Sequence, residues 1–64
     1  MEKFKYDYFL FRRYYANAEE AKLKDRGTVT FTQKSRPTVT EIENEVMRLK
    51  YPHLNQEDYI IFPV

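Results

Sequence analysis

Between Gly27 and Gln33 the chain alternates without interruption, with Val29 and Phe31 on one side and Thr28, Thr30 and Thr32 on the other. A period of two marks a half-buried strand. A second, longer strand is predicted over Phe4–Tyr15, where the run YDYFLFRRYY places large rings on both faces. From Thr38 the period changes. Val39, Ile42, Val46 and Leu49 recur at steps of three, four and three, which is one stripe of a helix. Thr38 followed three residues later by Glu41 reads as a capping box. Glu41, Glu43 and Glu45 lie early and Arg48 and Lys50 late, the order that suits the helix dipole. Pro52 stops the helix and pushes Tyr51 out of helical geometry. After the loop HLNQED, the segment YIIFPV predicts a short third strand.

The stretch NAEEAKLKDRG between the first two strands is a polar hairpin tip. Asn17 with Glu20 three residues on, closed by Gly27, also gives it the marks of a short helix. So short a helix does not hold by itself. The expected form is a hairpin whose tip contains one helical turn. The element order is strand, strand, helix, strand. The first two strands pair antiparallel, and the helix carries the chain back. A right-handed crossover then sets the third strand beside the first. The expected fold class is α+β: a ββαβ chain with a three-stranded antiparallel-type sheet of order 2-1-3 and one helix on one face.

One helix covers one face of the aromatic strand. Phe side chains have no polar atom to satisfy, whereas a buried Tyr hydroxyl wants a partner. Phe9 and Phe11 are therefore expected under the helix with Val29, Phe31 and one side of YIIF. Tyr6, Tyr8, Leu10, Arg12 and Tyr14 are left on the open face. These residue types are enriched in interface hot spots, and they form the expected partner-binding surface. The competing reading is that tyrosines pack flat across a sheet simply because they suit strands. A bulge near Arg12–Arg13 would exchange the faces beyond it.

Sixty-four residues make one small domain over 1–64 with a limited core. There is no cysteine, so disulfides and thiolate metal sites are excluded and a reducing compartment fits. The opening MEKFKYDY lacks the apolar run of a signal peptide, and no segment reaches the roughly 20 apolar residues of a spanning helix. The chain reads as soluble and cytoplasmic. Its net charge of +1 conceals a division. Residues 1–37 carry nine basic against five acidic side chains, and residues 38–64 carry two against five. The basic part either complements the acidic part within one solvated surface or faces an acidic partner.

Chemistry is sparse. His53, the one histidine, stands in a loop and reads as a plain loop residue. There is no Gly-rich phosphate loop, and Ser35, the only serine, is in no nucleophile elbow. The helical glutamates read as dipole and pairing charges. No catalytic residue, metal ligand, cofactor or small-molecule substrate is inferred. Strand aromatics beside cations give a second reading, a single-stranded nucleic-acid surface using Arg12, Arg13, Lys22, Lys24, Arg26, Lys34 and Arg36.

The segments YDYFLFRRYY, TVTFT, RPTVTEIENEV and YIIFPV together make an aromatic first strand, a second strand, Pro-Thr before one acidic helix, and a short last strand. In this the chain resembles small strand-strand-helix-strand proteins carried by phages and other mobile elements, most of unknown function. It differs in a longer, charged hairpin tip where those are often glycine-rich. The resemblance implies a chain that binds a host or phage protein and works by occupying its surface. The expected function is that of a non-enzymatic interaction protein with a protein partner or a second copy of itself.

Overall fold

A computed structural model describes residues 1–64. Strand β1 (Glu2–Arg12), strand β2 (Asp25–Gln33), helix α1 (Val39–Lys50), a 3-10 turn (Gln56–Asp58) and strand β3 (Tyr59–Pro63) follow one another. The sheet order is β2-β1-β3, and β1 is antiparallel to both neighbours. This is the expected α+β, ββαβ arrangement. No helix is long and apolar enough to cross a membrane.

The capping box at Thr38 is complete. Its hydroxyl accepts from the Glu41 N–H, and the Glu41 carboxylate accepts from the Thr38 N–H. Such a cap contributes about 1 kcal/mol. The hairpin tip carries the same device in miniature. Asn17 accepts from the Glu20 N–H and Glu20 accepts from the Ala16 N–H, which holds a single turn at Ala18–Lys22. No bulge interrupts β1, whose register with β3 is continuous from Tyr8 to Arg12.

The two faces of β1 are exchanged relative to the sequence expectation. Tyr8 and Leu10 are core, together with Val29, Phe31, Ile42, Val46, Met47, Tyr51 and Ile61. Phe4 and Tyr6 pack partly buried against them. Phe9 and Phe11 lie on the face away from the helix. Register explains this. Phe4 pairs with Phe31, Tyr6 with Val29, and Leu10 with Ile61, so the apolar sides of both neighbours meet the even positions of β1.

Of the tyrosine hydroxyls on this face, that of Tyr8 finds a partner and that of Tyr6 is buried without one. Tyr8 reaches a hydroxyl of Tyr51, and its partner across the ladder is Gly27, which leaves room for the ring. The helix stripe is also rotated. Val39 and Leu49 are exposed and Met47 is buried. Tyr51 bonds to Tyr8 and Asp25, and Glu43 reaches the N–H of Ile61. These contacts roll the helix onto its Glu43–Met47 side.

Candidate interaction surface

The uncovered face of the sheet has two unlike halves. Toward the start of β1, Lys3, Lys5 and Asp7 stand beside Thr28, Thr30 and Thr32, and the Thr28 hydroxyl donates to Asp7 at 2.9 Å. Toward its end the face is apolar. Phe9 lies between Arg26 of β2 and Phe62 of β3, and Phe11 pairs with Ile60. The Phe11 and Phe62 rings meet edge to face with centroids 5.6 Å apart. Tyr15 and Ala21, delivered by the hairpin tip, join Phe11, Ile60 and Phe62 around a shallow groove of about 350 Å³. Phe9 and Phe62 remain 36% and 49% exposed, so the tip covers only part of this half.

Of the five residues expected to bind a partner, Tyr6, Tyr8, Leu10 and Arg12 share one face of β1, but it is the face the helix covers. Tyr8 and Leu10 are each 2% exposed and belong to the core. Tyr6 sits half-buried with its ring edge-on to Phe31. Arg12 is half-buried where β1 ends. Tyr14 is exposed, but it lies past the strand beside Glu43, Glu57 and Asp58. The aromatic surface that is open consists of Phe9 and Phe62 with Tyr15. The signal for it was present as charge. Lys3, Lys5 and Asp7 all share the parity of Phe9 and Phe11, and three charges on one face of a strand mark the wet side.

The seven basic candidates are also divided. Arg13 donates to the Tyr59 carbonyl and approaches Glu43 at 3.8 Å. Lys22 pairs with Glu19 at 3.0 Å. Lys24 lies beside Leu10 and Arg26 opposite Phe9, Arg12 shares the parity of the covered face, Lys34 follows the far end of β2 and Arg36 stacks over the Phe4 ring. Phe4 and Leu10 are six strand residues apart, roughly 20 Å. No single groove holds all seven.

A feature that sequence reasoning missed ties β1, β2 and the end of α1 together. The Tyr51 hydroxyl donates to Asp25 Oδ2 at 2.8 Å, and the Tyr8 hydroxyl lies 3.2 Å from that of Tyr51. Since Tyr51 spends its proton on the carboxylate, Tyr8 donates to Tyr51. The three groups form one directed chain, in which each bond polarises the next. Asp25 Oδ1 also accepts from the Arg26 N–H at 2.8 Å. The Tyr51 hydroxyl, and then that backbone N–H, hold the Asp25 carboxyl below its usual range. Burial first, then the hydrogen bonds with Tyr8 and Asp25, push the Tyr51 phenol well above its own. No signal in the sequence joined residues 8, 25 and 51.

Because its folded pKa is depressed, Asp25 stabilises the fold above its unfolded pKa of about 3.9, and the effect is lost as pH falls through the lower folded value. Asp25→Asn should therefore melt below the parent at pH 7, with the gap closing as pH falls below the ordinary carboxylate range. Melting curves across that range check this, and a gap independent of pH would refute it.

His53 is an exposed loop residue. No group of three or more His, Cys, Asp or Glu side chains is placed to hold a metal ion. No family model, curated protein or solved structure matches the chain.

Proposed function

We propose that the chain is a cytoplasmic, non-enzymatic interaction protein that docks a protein partner on the apolar half of its open sheet face. The observation that carries this reading is the pair Phe9 and Phe62, cross-strand neighbours left about half exposed on a face that no helix covers. Contiguous apolar patches are uncommon on monomers, and aromatic and arginine side chains dominate interface hot spots. Arg26 stands beside Phe9, and Arg12 and Arg13 stand at the end of the groove. A partner with an apolar centre and an acidic rim fits this set better than a second copy, which would bring like charges together. The resemblance to small phage-carried proteins, which implies a chain that occupies a partner's surface, agrees with this reading.

The test is Phe9→Ser with Phe62→Ser, studied by sedimentation and by affinity capture from a lysate. Both side chains are on the surface, so the variant should stay folded. It should lose its captured partners, including any second copy. An unchanged set of partners and an unchanged oligomeric state would refute the reading. The alternative, single-stranded nucleic acid stacking on Phe9 and Phe62, predicts affinity that falls steeply with salt, whereas aromatic burial fades mildly.

A further inference from the structure

Strand β1 is 11 residues long and β3 only five, so the central strand is flanked on both sides for only half its length. The hydrogen bonds show which groups are left over. On the β3 side, the Val64 N–H donates to the Asp7 carbonyl and the Arg13 N–H donates to the Asp58 carbonyl. On the β2 side, the Lys24 N–H donates to the Leu10 carbonyl. Along an antiparallel strand the two sides alternate by residue. The odd positions of β1 therefore address β3 and the even positions address β2. Continued toward the start of the strand, this alternation turns the N–H and C=O of Lys3 and Lys5 to a side where no strand pairs.

The same two residues carry the charge. The side chains of Lys3 and Lys5 lie on the open face, and neither is in an ion pair, since the three ion pairs of the molecule lie elsewhere. Lys34 and Arg36, at the same end of the sheet, are also without a carboxylate. On the other face, Phe4 and Tyr6 offer partly buried rings as neighbours. A second copy is a poor occupant. Antiparallel self-pairing centred on Phe4 sets Lys3 against Lys5 twice, and like charges directly opposite are destabilising. The outer edge of β2 is unpaired too, but it presents Thr28, Thr30 and Thr32 with one charge, Arg26, at its end, in place of two adjacent lysines.

We infer that the edge of β1 at Glu2–Tyr6 binds an acidic peptide segment as an added strand, antiparallel to β1 and in line with β3. Five residues of edge span roughly 17 Å. The backbone groups of Lys3 and Lys5 supply the pairing. Their ammonium groups select carboxylates at alternate positions of the guest, and Phe4 and Tyr6 receive apolar side chains at the positions between. Backbone pairing supplies affinity and alternate side chains supply specificity, as in other strand additions. The site is an edge at the polar end of the sheet, away from the Phe9–Phe62 half.

The probe is an acetylated, amidated seven-residue peptide alternating glutamate with valine, titrated into the isotope-labelled chain and followed by NMR. Amide shifts centred on Lys3 and Lys5, with slowed hydrogen exchange at both, are expected. N-methylation of the peptide at the amides facing β1 should weaken binding at least tenfold, because it removes donors without altering charge. Lys3→Glu with Lys5→Glu should reverse the preference toward a lysine-valine peptide. The inference is overturned by an absence of shifts, by equal binding of the N-methylated peptide, or by a single-stranded oligonucleotide that displaces the peptide from the same amides. Shifts centred on Phe9 and Phe62 overturn it too, while supporting the face.

Discussion

Leu10→Ala is expected to cost about 2–5 kcal/mol, and Phe9→Ala, one residue away, is expected to cost about 1 kcal/mol or less. The two side chains are of similar size and sit on the same strand. They differ in what covers them. Leu10 is 2% exposed, lies opposite Ile61 and belongs to a core of nine side chains. Removing it leaves a cavity in a core too small to collapse around the loss. Phe9 already meets water, so its truncation forfeits only part of its contacts. For a domain of this size, 1 kcal/mol shifts the melting temperature by about 4–8 °C. The Leu10 variant should therefore melt roughly 8–40 °C lower, or be unfolded at room temperature. Thermal melts of both variants by circular dichroism decide the matter. If Phe9→Ala proves as damaging as Leu10→Ala, the helix covers the other face.

That pair of substitutions also marks where sequence reasoning succeeded and where it failed. The elements were legible because each rests on a local rule. Alternation identified β2, the Thr38–Glu41 box fixed the start of α1, and Pro52 fixed its stop. The sheet order followed from chain direction and crossover handedness. The faces of β1 are not legible from residue chemistry within YDYFLFRRYY alone. Extending the count back to Lys3 gives Phe4, Tyr6, Tyr8 and Leu10 as an unbroken apolar series at period two, against Lys3, Lys5 and Asp7 at the other parity. The cost of burying Tyr8 was overestimated, because its hydroxyl partner lies 43 residues away in sequence at Tyr51. Long-range partners of this kind leave no periodic trace. The exposure of Leu49 has the same origin. Contacts of Glu43 and Tyr51 set the roll of α1, and apolar spacing alone does not encode them. The candidate surface moved with the face, from tyrosines that hold the core to the phenylalanines behind them.

Gly27→Ala is expected to destabilise the fold through a collision with Tyr8, and Tyr8→Phe should partly rescue it. Gly27 has no positive φ, so its backbone suits any residue, and what it supplies is space. A Cβ there would lie 2.6 Å from the Tyr8 hydroxyl oxygen, 2.9 Å from Cζ and 3.2 Å from Cε2. The first two distances are closer than real Cβ contacts allow, so the ring must move. It is buried, and its hydroxyl is tied to Tyr51, so moving it also stretches the chain that ends on Asp25. Overpacking of this kind costs about 1–3 kcal/mol. The reduced freedom of the unfolded chain returns about 0.4–1 kcal/mol, so the collision wins. Tyr8→Phe alone loses one hydrogen bond, about 1 kcal/mol, while Tyr51 keeps its bond to Asp25. In the double variant the atom nearest the new methyl is gone, but the ring carbon behind it still crowds the site. The combined loss should fall short of the sum of the two single losses by at least about 0.5 kcal/mol, the mark of residues in contact. Denaturant unfolding of the parent, both single variants and the double variant measures this coupling. Strict additivity would mean that Tyr8 does not fill the space above Gly27.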